Sequence, residues 1–237
     1  MKTTFGKILG VMSMTWPLSA ATLSSGHVDF IGIGYDAGAF EPHSHAEAGA
    51  VVDGVVLTLD TEYELGELEL QVVGGATRPS GAEWDSVGIV PGMVFWTLSQ
   101  TEIPGQPFVG VGAEELNPAD WMGPIRVTLI SMSAPLGAQF SLWQTDSFDV
   151  PTFFMSTFEG GISSADYFNI DAGDHAHFGW GFTELGIYDL EFEISGTHAV
   201  DGVKSANATY RFNVIPEPSA ALMSLIGGLF LLRRRRA

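Results

Sequence analysis

Apolar and polar residues alternate along most of the chain between residues 22 and 215. No apolar stripe of useful length has helical spacing there. In 187–195 and 208–214, every second residue is apolar and packs on one predicted face, and 125–129 repeats the pattern. Successive side chains of a strand point to opposite faces, so this alternation predicts strands with one face on a core and the other in water. Further strands are predicted at 28–34, 55–59, 67–73, 93–98 and 139–143.

Turn-forming dipeptides separate these strands. Asp53-Gly54 lies between two short runs of apolar residues and predicts a tight hairpin. Gly74-Gly75, Pro91-Gly92 and similar dipeptides mark further turns, and 75–84 is predicted to be a long loop. Many short strands with frequent turns predict an all-β domain, an antiparallel β-sandwich or jelly roll, over 22–215.

The N-terminus has the features of a secretory signal peptide over residues 1–21. Lys2 and Lys7 give it a positive start, 8–14 is apolar, and Ser19-Ala20-Ala21 supplies small residues for cleavage. A buried N-terminal helix is the alternative, but Pro17 and the small residues argue against it. We expect a signal helix, export by the Sec machinery and cleavage after Ala21.

The C-terminus, residues 216–237, combines a Pro-Glu-Pro triplet, an apolar stretch over 219–232 and four arginines. As a helix the stretch spans about 20 Å, short of the roughly 30 Å of a bilayer core. This order resembles the PEP-CTERM sorting signal of bacterial envelope proteins. The resemblance implies transient anchoring of a hydrophobic helix in the membrane and cleavage near the triplet by an exosortase. It also implies a bacterium that makes extracellular polysaccharide. The residues that carry it are Pro216, Glu217, Pro218, Arg233, Arg234, Arg235 and Arg236.

The cysteine and charge content of the chain excludes several kinds of site and binding partner. The chain has no cysteine, which excludes disulfides, thiolate metal sites and Cys catalysis. Away from the two ends only four residues are basic, whereas the chain has 28 acidic residues. An acidic surface repels nucleic acid and anionic lipid, so no nucleic-acid partner is expected. It suits a protein that is soluble outside the cell, and it attracts cations.

Four of the six histidines form two His-x-His pairs, His43-Ser44-His45 and His175-Ala176-His177. Residues i and i+2 of a strand project from the same face, roughly 6–7 Å apart, so two imidazoles can converge on one cation. Zinc, copper, nickel and iron accept neutral imidazole. The pairs therefore predict a transition-metal site, zinc being one candidate, with the second pair favoured.

Other residues near the pairs complete the predicted ligand set. His27 has the same two-residue spacing to Asp29 and is a further candidate. Glu47, Asp171 and Asp174 lie close to the pairs in sequence. The alternative is that the histidines are ordinary surface residues, or that one pair orients an aromatic cluster around Trp180. His198, beside the Asp201-Gly202 turn, is interpreted as plain surface.

The span 173–188 resembles the closing signature of the choice-of-anchor M domain, described in actinobacterial surface-anchored proteins. The matching residues include His175, His177, Trp180, Phe182 and Tyr188, and Gly26-His27-Val28-Asp29 is similar to the family's opening segment. Two residues depart from the family's pattern. Gly179 stands where the family has Asn, and Ser99 stands where it has the Pro of a Pro-Gln pair. The resemblance, over about 26–214, implies a β domain displayed on different anchors, and a role in capturing or relaying a metal.

Three functions are compatible with these features. The first is a non-catalytic envelope protein that binds a transition metal through the paired histidines. The second is a structural matrix protein without a metal site, associated with extracellular polysaccharide. The third is a cupin-like metalloenzyme, since cupins also carry paired histidines on strands. No catalytic motif such as a nucleophile elbow, a His-Glu-x-x-His helix or a phosphate loop is present, so an enzyme is not expected.

Overall fold

The computed structural model describes residues 20–158 and 160–216. The predicted signal helix, the C-terminal hydrophobic helix, and Glu217, Pro218 and the four arginines of the sorting signal lie outside these residues. Pro216 is the last described residue. No helix within the described ranges is both long enough and apolar enough to cross a bilayer.

Strands dominate the described residues, which also contain two short 3-10 helices, Ala82–Val87 and Pro118–Asp120. The first strand and the last two strands along the chain are long, and the strands between them are shorter. The strands are β1 (Ala21–Asp36), β2 (Ala39–Ala46), β3 (Val51–Val52), β4 (Val55–Val56), β5 (Thr61–Tyr63), β6 (Leu68–Val72), β7 (Gly75–Thr77), β8 (Val94–Leu98), β9 (Pro107–Gly112), β10 (Ile125–Ser133), β11 (Phe140–Thr145), β12 (Pro151–Ser156), β13 (Tyr167–Ile170), β14 (His175–His177), β15 (Gly179–Phe182), β16 (Gly186–His198) and β17 (Gly202–Val214).

The strands form two sheets that pack on a common core, so the predicted all-β sandwich is confirmed. The larger sheet has the order β13-β10-β16-β17-β6-β1-β2-β5, with β9 and β14 continuing from β1 and the β3-β4 hairpin pairing with it. The smaller sheet has the order β12-β11-β15-β8-β7. Most pairs are antiparallel, but β1 runs parallel to both β6 and β9, and β6 runs parallel to β17.

The core follows the predicted alternation. Tyr188, Leu190, Phe192 and Ile194 of β16 are all buried, and every second residue of β17 from Ala208 onward is buried with them. These residues meet aromatic rings of the smaller sheet. Phe212 is fully buried and lies with its ring centre 5.1 Å from those of Phe30 and Phe182, and 5.3 Å from that of Trp180.

Some of the predicted turns, strands and loops are confirmed and others are not. The hairpin at Asp53-Gly54 is confirmed, because Val52 pairs with Val55 and both turn residues have positive φ, as the tight two-residue turn requires. The strand predicted at 55–59 is shorter, and Val55 and Val56 are exposed. The loop predicted over 75–84 is wrong at its start, since Gly75–Thr77 forms the edge strand β7 by pairing with β8.

Strand β1 belongs to two parts of the larger sheet. Its first residues pair with β3 and β6, and its residues from Gly26 onward pair with β2 and β9. Gly26 has φ +93°, and a Cβ there would lie 2.5 Å from the Cα of Ala50. Only glycine fits at position 26, where β1 changes its pairing partners. Beyond it, β1 is part of the four neighbouring strands β2-β1-β9-β14.

We expect Phe212→Ala to lower the free energy of unfolding by about 3–5 kcal/mol, because it removes a fully buried ring at the centre of the core. Val203→Ala is the matched control on the same strand. Val203 is 81% exposed, so its replacement should change the free energy by less than about 0.5 kcal/mol. Urea unfolding of both variants measures the difference, and equal values for the two would contradict this description of the core.

Candidate metal centre

Four neighbouring strands, β2-β1-β9-β14, carry the predicted site residues on one face. The pairing aligns them in two adjacent rows across the sheet. The first row contains His45, Asp29, Gly110 and His177, and the second contains His43, Gly32, Gly112 and His175. The two histidine pairs thus lie on the outer strands, and β1 and β9 separate them by three strand spacings, about 14 Å at the backbone.

A bulge in β1 keeps the two rows on the same face. Asp29 and Gly32 are three residues apart, yet they pair with positions that are two apart on both β2 and β9. The extra residue of a β-bulge restores the side-chain direction that a three-residue step would otherwise reverse. The carbonyl of Phe30, inside the bulge, accepts a hydrogen bond of 2.8 Å from the Ser44 hydroxyl, which holds the irregular backbone in place.

The inner positions of the rows are glycines, and the space above them is occupied by polar side chains. A Cβ on Gly32 would lie 2.7 Å from His43 Nε2, and one on Gly112 would lie 2.9 Å from the Asp29 carboxylate. A Cβ on Gly110 would lie 2.9 Å from His175 Nε2 and would also overlap Asp29 Oδ1. The glycines therefore form a floor on which an imidazole and a carboxylate can lie.

His27, His175 and His177 form one of two groups of metal-ligating side chains within the described residues, and Asp29, Glu114 and His175 form the other. In the three-histidine group, one ligand atom from each residue lies within 4.8 Å of the others, so the group could hold a metal ion. His175 Nε2 and His177 Nε2 are 2.7 Å apart, and the His27 ring centre is 5.1 Å from each of the other two. Nitrogens bound to one zinc ion lie within about 4 Å of each other, since each bond is about 2.0–2.1 Å. Small rotations of the rings would complete such a set.

The opposite nitrogen of each ring has an acceptor of its own. His177 Nδ1 donates to the backbone carbonyl of Val109 at 3.0 Å. His27 Nδ1 lies 2.8 Å from Glu47 Oε1. His175 Nδ1 lies 3.2 Å from Asp29 Oδ1 and 3.7 Å from Glu114 Oε1. The hydrogen bond to Val109 fixes the tautomer of His177 that leaves Nε2 as a ligand, as is usual for metal-bound histidine. The contacts of His27 and His175 with carboxylates favour the same ring orientation but are ionic contacts.

The contact between His175 and His177 places two ring nitrogens 2.7 Å apart. Two Nε2 lone pairs at this distance would repel, so either one Nε2 carries a proton and donates it to the other, or a metal ion lies between them. Burial lowers the pKa of His177 to about 4, so His177 is neutral at neutral pH. Its Nε2 is therefore the acceptor, available to an N–H of His175 or to a metal ion.

Two buried atoms of the site have no hydrogen-bond partner within the described residues. One is Nε2 of His27, which belongs to a side chain only 19% exposed. The other is Oδ1 of Asp29, whose 3.2 Å contact with His175 is an ionic contact without hydrogen-bond geometry. Burial raises the pKa of Asp29, while His175 and His27 act in the opposite direction. Because burying polar atoms without partners is costly, both atoms are sites where a cation would be stabilising.

The group opens into a cleft of about 510 Å³ on the protein surface, lined among others by Glu47, Glu102 and Phe108. Phe108 stacks on His177 with ring centres 3.6 Å apart and an interplanar angle of 9°. The stacked ring of Phe108 thereby helps to fix the plane of the His177 ring. Three imidazoles bound to zinc leave a position for a further ligand, which this cleft could supply.

The first pair does not join this group. His43 and His45 line a separate cleft of about 190 Å³ with Asp29, Glu114 and Glu115. Asp171 and Asp174, expected beside the second pair, are exposed, and neither they nor His43 and His45 belong to the two three-residue metal-ligating groups of the described residues. Glu47 does contribute, but it contacts His27 rather than the first pair.

The structure also bears on the predictions made for Trp180 and His198. Trp180 is fully buried and packs against Phe140 and Phe212 in the core, so it does not form the wall of a ligand cleft. His198 is partly buried rather than plain surface, because its ring stacks on Tyr35 and its Nδ1 lies 3.2 Å from Asp201 Oδ2.

Sequence patterns alone did not identify Glu114, Phe108 or the glycine floor, and Asp29 was noted only for its spacing to His27. A usable signal was present in Val109-Gly110-Val111-Gly112. Alternating glycine and valine in a strand leaves one face without side chains, which indicates that another group approaches the backbone there.

We expect Gly110→Ala to lower the free energy of unfolding of the metal-free protein by about 1–3 kcal/mol, because its methyl group would overlap the Asp29 carboxylate. The cost should be smaller by about 0.5–3 kcal/mol when Asp29 is replaced by alanine, since the overlap is then relieved. Urea unfolding of the two single variants and the double variant measures this coupling. Strictly additive costs would show that Asp29 does not lie over Gly110.

Comparisons with protein-family models, with curated proteins and with solved structures find no match to this chain. The resemblances to the choice-of-anchor M domain and to the PEP-CTERM signal therefore rest on the residues quoted for them, and neither is tested by these comparisons. A proposal for function must accordingly start from the geometry of the histidines, the carboxylates and the clefts they line.

Proposed function

We propose that the chain is an exported, non-catalytic envelope protein that binds a transition-metal ion through His27, His175 and His177. One observation carries the proposal. Each of the three rings has an oxygen acceptor within 3.2 Å of its Nδ1, while its Nε2 is either unpartnered or faces the Nε2 of a neighbouring ring at 2.7 Å. Ordinary surface histidines have water at both nitrogens, so they do not require this arrangement.

The ligand set favours zinc or a neighbouring transition metal over calcium or magnesium. Imidazole nitrogen suits zinc, copper, nickel and iron, whereas calcium and magnesium prefer oxygen ligands. Three imidazoles whose Nδ1 atoms face oxygen acceptors are a common set for zinc, with a further ligand from solvent or substrate. Glu47, Asp29 and Glu114 would offset part of the ion's charge from the second layer of contacts.

Display at the envelope rests on the two ends of the chain. The signal peptide supports export through the Sec machinery, and the tail from Pro216 supports transient anchoring in the membrane and processing by an exosortase-type enzyme. Loss of the tail is compatible with the fold, because among residues 20–158 and 160–216 the backbone hydrogen bond nearest to the triplet is donated by Ile215 to Val72, and the paired strand β17 ends before it. The mature protein would then be the acidic β domain, positioned where extracellular polysaccharide is a possible neighbour.

The two alternatives are weaker for different reasons. A structural matrix protein needs no buried unpartnered imidazole nitrogen, and it would fold and be retained unchanged if all five histidines were replaced. A cupin-like metalloenzyme needs both pairs around one ion. The 14 Å separation of β2 and β14 and the separate cleft of His43 and His45 argue against that arrangement.

We expect the purified domain to bind Zn²⁺ in stoichiometric amount, and the double variant His175→Ala and His177→Ala to lose at least one equivalent. Zinc at about 100 times its dissociation constant should raise the free energy of unfolding of the unmodified domain by about 2.7 kcal/mol, and should stabilise the double variant less. Metal analysis after dialysis and urea unfolding with and without Zn²⁺ measure both effects.

His198→Ala is the matched control for that experiment. It removes a partly buried imidazole with a carboxylate partner, but from outside the candidate site. We expect its zinc content to equal that of the unmodified domain. Equal zinc content in all three proteins, or none in any, would rule out the proposed site.

We expect replacement of Pro216, Glu217 and Pro218 by alanine to leave the C-terminal tail attached in a host that processes such signals. The recognition element would be lost while the apolar stretch and the arginines remain. Intact-mass measurement of the protein from membrane and surface fractions distinguishes the two forms. If the variant were cleaved like the unmodified protein, with the same distribution of masses, the assignment of residues 216–218 as a sorting signal would be contradicted.

A further inference from the structure

The cleft that contains His43 and His45 has the composition of a second cation site. It lies on the same sheet face as the three-histidine group and is lined by two imidazoles and three carboxylates, with no Lys or Arg among the lining residues. Its floor is again glycine, at Gly32 and Gly112. At neutral pH its side chains carry an excess of negative charge, which a divalent cation would offset.

His43 is oriented as a ligand. Its Nδ1 donates to the backbone carbonyl of Glu41 at 3.0 Å, so in the neutral ring Nε2 carries the lone pair. That Nε2 lies 3.2 Å from Glu115 Oε1, which is also an acceptor. Two acceptors at this distance repel unless a cation lies between them. Ligand atoms on one ion are about 3 Å apart when each bond is about 2.0–2.2 Å, and the observed separation matches this value.

Asp29 lies between the two sites and also lines this cleft. It is 4% exposed, its unpartnered Oδ1 faces His175, and its Oδ2 lies over Gly112 in the floor of this cleft. His45 lies directly across from Asp29 in the pairing of β1 with β2. Directly opposite residues of an antiparallel pair have Cβ atoms about 4.5–5.5 Å apart on the same face. The carboxylate can therefore reach both His45 and His175.

We infer that the protein holds a second divalent transition-metal ion, bound by His43, His45, Glu115 and Asp29, and that Asp29 links this site to the first. The inference rests on the proposed function for the first site and adds a second ion to it. Mixed imidazole and carboxylate ligands suit zinc, iron and manganese more than calcium. Asp29 contacts His175 of the first site, so the two ions would bind with coupled affinities.

The experiment is a Zn²⁺ titration against a competing chelator on the whole β domain, with metal analysis of the dialysed protein. We expect two equivalents in the unmodified domain and one in the double variant His43→Gln and His45→Gln. Glu115→Gln should weaken the second equivalent by about 10–100-fold and leave the first unchanged. Asp29→Asn should weaken both equivalents, since it contacts the ligands of one site and belongs to the other.

Glu193→Gln is the control for the loss of one carboxylate charge, because it makes the same chemical change on β16, away from both clefts. It should leave both equivalents unchanged. Urea unfolding of each metal-free variant checks that the fold is retained. A variant that fails to fold is replaced by the single substitution His43→Gln, for which the same loss of the second equivalent is expected.

The outcomes separate the two proposals. One equivalent in the unmodified domain, lost with His175 and His177 and unchanged by replacement of His43 and His45, would overturn the second site and leave the proposed function intact. In that case the contact between His43 and Glu115 involves no metal ion. Two equivalents that both survive replacement of His175 and His177 would overturn the proposed function. Absence of bound zinc would overturn both.

Discussion

The bulge in β1 between Asp29 and Gly32 determines where every candidate ligand points. One extra residue lets two rows of side chains from four strands face the same way, although their spacing along β1 would otherwise place them on opposite faces. Without it, either Asp29 or Gly32 would turn to the other face, and the imidazole of His43 would meet a side chain instead of open backbone. The glycines of β9 complete the arrangement, because they allow His175 and the Asp29 carboxylate to lie directly over the strand.

Asp29 is the electrostatic centre of this surface. A carboxylate that is 4% exposed is stable only with positive charge nearby, and the groups around it are histidines rather than lysines or arginines. Histidine provides that charge only when it binds a proton or a metal ion. The His175–His177 contact and the contact of His43 with Glu115 each bring two potential ligand atoms within 3.2 Å, so a proton or a metal ion has to lie between them. A cation would therefore be stabilising at three places on one glycine-lined face.

The described part of the domain closes at its C-terminal strand. β17 ends at Val214, and the backbone of Ile215 donates a hydrogen bond to Val72 of β6. The candidate site lies on β1, β2, β9 and β14, and β17 supports these strands from the core, where the Tyr210 hydroxyl donates to the backbone carbonyl of His43. Processing of the tail beyond Pro216, as proposed, would leave these strands intact.

The sequence by itself determined the class of fold and most strands, because alternation of apolar and polar residues is a local property that burial on one face imposes. It also predicted the hairpin at Asp53-Gly54 and identified His27, His175 and His177 among the candidates, since side chains two residues apart in a strand share a face. It could not decide which histidines meet, because that depends on the parallel pairing of β1 with β9, between residues about 80 positions apart. The tertiary structure alone separated His43 and His45 from the other three, brought Glu114 and Glu115 to the site and revealed Asp29 between the two clefts. Long-range pairing and a one-residue bulge decide these contacts, and neither leaves a periodic signal in the sequence.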